Sequence, residues 1–365
     1  MIGALRLKNY RSFEEYELRK LARVNLLVGP NNCGKTSILE AVRLLVSGGD
    51  PRILIESARR RSESSTEADE EARRAIRYPL YHQFHGHTFG PGTSLSISSD
   101  DGLGRVRMEI VEAEAEEPQD LFEVFEGTTP PLALKIRRAT STEDILISLA
   151  EDGSIDWRAP AMRHRALGAS HRKLPPTQFV TAESLQPREM AGVWNQVEVQ
   201  GRESEVVESM RILQKDLDSI RFLSGDVTGR SGPPPSIVLG FQAGAPRFPI
   251  GSYGDGMRRL LALSLSLVRA AEGFLLIDEI DTGLHWSVME EMWKLVVETA
   301  IRSSIQVFAT THSLDCILGL AELLRTRDHL GDEVVIQKIE RGINRSVSFD
   351  AEAIVTATDL GVELR

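Results

Sequence analysis

The stretch GPNNCGKT, Gly29–Thr36, combines glycines, a lysine and a hydroxyl at the spacing a phosphate-binding loop needs. Gly29 and Gly34 let the backbone curl until successive N–H groups, running through Asn31, Asn32, Cys33, Gly34, Lys35 and Thr36, aim at one anion. Lys35 can then reach the outer phosphates of a nucleotide, and the Thr36 hydroxyl can ligate Mg²⁺. The helix running on from Ser37 adds its positive end to the same anion. The flanks agree with this reading. VNLLV before the loop reads as a buried strand, and ILEAVRLLV after it has helical apolar spacing.

Three further clusters carry chemistry-bearing residues at the ends of apolar runs. FLLIDE places Asp278 and Glu279 just past a buried strand, where one carboxylate can hold Mg²⁺ and the next can take a proton from water. VFATTHSLD ends a strand at His312, whose imidazole can reach a terminal phosphate. GSYGDGMRRLL is a glycine-rich turn running into a helix, with Ser252 as a hydroxyl donor and Gly254 and Gly256 allowing close backbone approach. Taken singly, each of these is a weak signal. Their meaning comes from their order along the chain.

The elements that must position these residues follow from periodicity. Met1–Leu45 reads as strand, turn, strand, loop and helix, and the charged segment Ala58–Arg77 reads as helical. Thr93–Trp157 alternates apolar and polar residues around Asp-Gly turns, which predicts antiparallel strands. Ser184–Ile220 has helical spacing at Met190, Val193, Trp194, Val197, Val206, Val207, Met210, Leu213, Leu217 and Ile220. Gly229–Ser236 reads as a turn or loop. From Arg258 onward the order helix, strand, helix, strand, helix predicts a parallel sheet with helices on its faces. No internal repeat or sustained heptad pattern is present.

Composition narrows the class. The chain has 365 residues, 41% hydrophobic and 26% charged, in the range of ordinary globular proteins. No apolar run approaches the roughly 18 residues of a membrane span, and the first residues lack a signal-peptide core. Cys33 and Cys316 do not form a disulfide framework, so a reducing cytoplasm is the expected compartment. A formal charge of −10 argues against general coating of nucleic acid and leaves only a local basic patch. The candidate is Arg158–Lys173, which gathers Arg158, Arg163, Arg165, Arg172 and Lys173 with His164 and His171 and no acid. A solvated loop or a patch for an acidic protein partner is the preferred reading of it. Ser57–Glu63 is less specific still. His82, His85 and His87 lack the cysteine or carboxylate partners of a zinc site, so packed or exposed loop histidines are the expectation.

These four clusters, in this order, resemble the ATP-binding cassette (ABC) ATPases. Gly29–Thr36 looks like Walker A, Ser252-x-Gly254 like the signature motif, Phe274–Glu279 like Walker B and His312 like the switch histidine. The opening LRLKNYRSFEEYEL is similar to the first strand of the RecF, SMC and OLD (overcoming lysogenization defect) branch. GDGMRRLLALSLSLVRAAEGFLLIDEIDTGLH, VFATTHSLD and the closing TDLGVELR look most like OLD-like ATPases in a single-domain form without a Toprim nuclease domain. The resemblance covers Met1 to about Gly86 and about Pro175 to Arg365. It departs at His285, where many ABC proteins carry an aspartate.

The resemblance implies an α/β fold: an ABC-type P-loop NTPase head with a mixed or parallel sheet core, an antiparallel β subdomain and an inserted helical lobe. Its implied layout is an N-terminal lobe at 1–90, a β-rich insert at about 91–175, a helical lobe at about 180–225, a core at 245–345 and a tail at 346–365. It implies ATP and Mg²⁺ as ligands, bound through Asn31–Ser37 and Arg11, with Thr36 and Asp278 on the metal and Glu279 and His312 catalytic. Gln83 is the candidate Q-loop glutamine. Ser252, Gly254 and Gly256 are expected to act in trans, on the ATP of a second head, in a homodimer or higher oligomer. The implied function is an ATPase that senses or regulates a separate effector, such as a nuclease, in phage defence or DNA maintenance. A RecF-like repair ATPase acting directly on DNA is the alternative, and a transporter ATPase subunit is disfavoured by the first strand and the antiparallel insert.

Overall fold

The computed structural model describes residues 1–66, 76–113, 132–139, 144–150, 152–156, 174–223, 235–241 and 246–365. The strand VNLLV, Val24–Val28, is buried along its whole length, as a central strand covered on both faces must be. It pairs in parallel with Gln306–Thr310 on one side and Val334–Lys338 on the other. The sheet runs in the order Thr177–Val180, Phe274–Ile277, Gln306–Thr310, Val24–Val28, Val334–Lys338, Val347–Phe349, and only the last strand is antiparallel. Val28, Ile277 and Thr310 therefore end at the same edge. In a parallel α/β sheet that carboxyl edge is where ligands bind.

A second six-stranded sheet among the described residues is antiparallel, in the order Phe13–Leu18, Leu5–Tyr10, Ser94–Ser99, Arg105–Glu112, Leu132–Arg138, Ile145–Ser148. Arg105–Glu112 alternates buried and exposed positions, so one face is available for packing. The helix Lys35–Val46 fills the space between the two sheets. Its Ile38, Leu39 and Val42 share one apolar cluster with Leu7, Ile97 and Met108 of the antiparallel sheet and with Leu276 and Phe308 of the parallel one. Burial on nearly all sides fixes the axis of this helix, and with it the phosphate loop at its start.

A third apolar cluster packs helices Pro187–Val199 and Glu203–Met210 and the strands Leu217–Leu223 and Ser236–Phe241 onto the helix Gly254–Arg269. The result is an α/β architecture with a largely parallel core sheet, a separate antiparallel sheet and a helical lobe, the layout expected from the sequence.

Three local expectations are corrected. The helical reading of Ser184–Ile220 holds for the two helices but not for Leu217 and Ile220, which lie in a strand antiparallel to Ser236–Phe241. A register shift between Leu217 and Ser219 breaks the alternation and produces a helix-like spacing of three. Of the helix expected over Ala58–Arg77, only Ala58–Arg60 is helical among the described residues, as the end of the helix Pro51–Arg60, which the Asp50 side chain caps at the Arg52 N–H; Ile76–Pro79 is a strand, and 67–75 lie outside the described residues. The N-terminal region holds one more strand than expected, because Leu5–Tyr10 and Phe13–Leu18 form a hairpin ahead of Val24–Val28. Arg158–Lys173 and most of Gly229–Ser236 lie outside the described residues. No helix among the described residues is long and apolar enough to cross a membrane.

Candidate nucleotide site

The phosphate loop tolerates no side chain at its two glycines. Gly29 has φ +139, and a Cβ there would stand 2.3 Å from the Ile339 carbonyl oxygen. Gly34 has φ +101, and its Cβ would meet the Phe13 ring at 2.4 Å. Both positions combine a left-handed backbone with a close approach, which only glycine permits. Lys35 Nζ folds back along the loop, donating to Gly29 O at 2.7 Å and Pro30 O at 2.9 Å, and lies 3.5 Å from His312 Nδ1. From outside, the Arg341 guanidinium donates to the carbonyls of Asn31 and Asn32 at 3.1 and 3.0 Å.

The acidic side of the site comes from the ends of the neighbouring strands. Thr36 Oγ1 is 3.2 Å from both carboxylate oxygens of Asp278. This hydroxyl and carboxylate are hard oxygen donors of the kind Mg²⁺ prefers, so the residues present fit that ion. Glu279 has φ +49, a conformation that a non-glycine residue keeps only when its surroundings impose it. Here Thr310 Oγ1 accepts from the Glu279 N–H at 2.8 Å, Arg259 donates to the Glu279 carbonyl at 2.6 Å, and Thr282 Oγ1 donates to Glu279 Oε2 at 3.2 Å. The turn that follows is tied to the switch segment, since Thr311 Oγ1 donates to Asp281 Oδ1 at 2.6 Å.

A cleft of about 390 Å³ joins these groups, lined by Asn32, Gly34, Lys35, Thr36, Ser37, Asp278, Glu279 and His312 with Arg11, Ser12, Arg61, Glu63, His82 and His87. A larger groove, about 870 Å³, runs between helices Glu203–Met210 and Met289–Arg302, but it holds only dispersed surface charges. The smaller cleft therefore carries the chemistry. Burial pulls the Lys35 pKa down, against the opposing pull of Cys33, Asp278 and Glu279. Burial also lowers the His312 pKa, and the Lys35 charge adds to the shift, so the neutral imidazole is favoured. For Arg11, burial works against the charge, but Tyr10, Glu40 and Glu63 outweigh it and hold its pKa above the ordinary value.

The cleft thus brings together Asn32, Gly34–Ser37, Asp278, Glu279, His312 and Arg11. Arg11 is already engaged there, 2.9 Å from Glu40 and 2.9 Å from Glu63, and Arg61 shares Glu40 at 3.0 Å while reaching Ser37 Oγ at 3.3 Å. Gln83 is not on the cleft wall. The short turn Leu80–Gln83 turns it inward, leaving it 2% exposed with Oε1 unpartnered among the described residues, and His82 and His87 line the cleft in its place. Their rings lie edge to face at 5.2 Å. Ser252, Gly254 and Gly256 do not line this cleft, and Ser252 and Gly254 are exposed at the start of their helix. His285 accepts from the Ser287 N–H in an exposed turn. Sequence reasoning missed Thr310, Arg259, Arg341, Arg61 and Glu63. Only Thr310, in the polar pair that precedes His312, left a local signal.

The profile of a family described as "AAA domain, putative AbiEii toxin, Type IV TA system" matches residues 24–315. A Helicobacter pylori protein named "ATP/GTP phosphatase" is 20% identical over 386 residues, covering 96% of this chain and 99% of its own length. Among solved structures, an Smc head bound to the C-winged helix domain of ScpA matches with a TM-score of 0.48 and 15% identity, over 96% of this chain and 98% of that one. An Smc head domain bound to the C-terminal domain of ScpA, derived from Pyrococcus furiosus, has a TM-score of 0.48 and 12% identity, over 98% of each chain.

Proposed function

The chain belongs to the AAA-domain family whose profile spans residues 24–315, and from that premise we propose that it hydrolyses ATP in a head-to-tail dimer and regulates a separate effector protein. The observation that carries the hydrolytic reading is the convergence of Lys35, Thr36, Asp278, Glu279 and His312 on one cleft. The name of the Helicobacter pylori relative, which aligns along nearly the whole chain, supports phosphate release from a nucleoside triphosphate.

The loop N–H groups and Lys35 bind the β- and γ-phosphates of ATP. Thr36 and Asp278 would hold Mg²⁺, which would supply positive charge against the phosphate oxygens. Glu279 accepts the proton of the attacking water, and its constrained main chain keeps the carboxylate aimed while that happens. Neutral His312, with Nδ1 facing the Lys35 ammonium, keeps its other ring N–H to donate to the phosphoryl group being transferred. Gly254 begins a second helix, with Ser252 in the short turn just before it, and both lie outside their own cleft, which supports their service to the ATP of a partner head.

The OLD-like motifs and the toxin–antitoxin wording of the family description both support a role as the ATP-driven component of a phage-defence pair. The test is phosphate release by the purified chain with ATP and Mg²⁺, alongside its molar mass with and without nucleotide. Phosphate release accompanied by an ATP-dependent rise in mass is expected. A chain that binds ATP but releases no phosphate, with or without proteins encoded beside it, refutes the reading.

A further inference from the structure

The helix Gly254–Arg269 carries a buried guanidinium that touches none of the reacting groups named above and reaches Glu279 only through its main chain. Arg259 is 2% exposed. It donates to Thr181 O at 2.6 Å through Nη1, and to Asp278 O at 2.9 Å and Glu279 O at 2.6 Å through Nη2. These carbonyls follow the parallel-paired strands Thr177–Val180 and Phe274–Ile277. One side chain thus ties two strand ends to one helix.

Stability alone does not account for this arrangement. The guanidinium is taken out of water, and among the described residues its Nε has no hydrogen-bond partner. A buried charge is commonly no more stabilising than an apolar side chain of similar volume. What the guanidinium does supply is geometry. Glu279 is held at φ +49 by a bond on each side of its Cα, the N–H to Thr310 and the carbonyl to Arg259. The first anchor belongs to the neighbouring strand, and the second belongs to the helix that starts at Gly254. Arg259 lies five residues into that helix, about 7.5 Å along its axis. A rigid displacement of the helix start therefore moves the guanidinium and the carbonyl it grips.

We infer that Arg259 is a positioning residue that aims the Glu279 carboxylate by gripping its main chain, and that it makes this aim depend on where the signature helix sits. The inference rests on Glu279 being the general base.

Steady-state ATP turnover and affinity for a fluorescent ATP analogue would be compared for Arg259→Ala, Arg259→Lys, Glu279→Gln and the double variant Arg259→Ala/Glu279→Gln. In Arg259→Ala, kcat should fall about 10²-fold, the scale of a small misplacement of a reacting group, with KM and analogue affinity unchanged. Added methylguanidinium should recover part of that turnover and none in Glu279→Gln. The double variant should be no slower than Glu279→Gln alone, because Arg259 acts only through that carboxylate. Should the alanine variant fail to fold, Arg259→Lys, which keeps the charge but gathers its donors on one nitrogen in place of the two-pronged fork, should show the same loss in kcat at unchanged KM. Wild-type kcat in a folded Arg259 variant, or losses that add in the double variant, overturns the positioning role while leaving the base assignment intact. Wild-type turnover by Glu279→Gln overturns both.

Discussion

Thr310 Oγ1 donates to Asp278 Oδ1 at 2.7 Å, from the end of the strand beside the one that delivers Asp278. The same oxygen accepts from the Glu279 N–H at 2.8 Å. A single hydroxyl therefore orients the candidate metal ligand through its side chain and the candidate base through its backbone. It does so by sitting one strand away, where the parallel register pairs Ile277 with Ala309.

Thr310→Val keeps the branched shape but removes both bonds. It leaves the Glu279 N–H without its acceptor, a loss of about 1–3 kcal/mol for a buried group. Denaturant unfolding should register that loss, turnover should fall with it, and Thr310→Ser should recover most of both. A valine variant as stable and active as the parent would show that the two bonds contribute nothing.

Glu279→Gln preserves size and hydrogen bonding while removing the base. Turnover should fall by about 10²–10⁴-fold. ATP binding should persist, and the closed assembly should accumulate, visible as an ATP-dependent rise in molar mass. Turnover at the parental rate would assign the proton acceptor to another group.

His312 gives a pH signature whose sign is fixed by its environment. Burial and Lys35 lower its folded pKa below the ordinary 6.5. Between those two values the unfolded chain binds a proton that the folded chain refuses, so stability rises with pH across that window. On acidification the parent should lose stability relative to His312→Gln, beginning near the ordinary histidine value. His82 shifts in the same direction but is present in both proteins, so it cancels in the comparison. Parallel stability profiles for parent and variant would refute the assignment of a neutral imidazole.

The sequence made the phosphate loop and both acidic residues legible because each motif is local: a strand, its last residue and the turn that follows are contiguous in the chain. What held those residues in place was not legible. Thr310, Arg259 and Arg341 act on backbone atoms far away in sequence, and no periodicity reports which carbonyl a side chain will find. Gln83 shows the converse, a residue type in the right region whose turn buries it. Leu217 and Ile220 were misread because a bulge in a strand mimics the spacing of a helix.

The exposed signature turn gives the test that separates a paired head from a self-contained nucleotide site. The helix at Lys35 already starts at the candidate nucleotide cleft, and Ser252 and Gly254 lie outside that cleft. One nucleotide does not need both helix starts from the same subunit. Ser252→Arg places bulk and charge at an exposed turn, so folding and ATP binding to the single chain should survive while turnover is lost. Lys35→Ala damages the other half, lowering nucleotide affinity and turnover together. Mixed, the two variants form head-to-tail pairs in which one composite site collects both lesions and the other collects neither. Turnover should therefore reappear on mixing and depend on the ratio of the two proteins. If subunits shown to exchange recover no activity at any ratio, the nucleotide site is completed within one chain and the trans role of Ser252 is wrong.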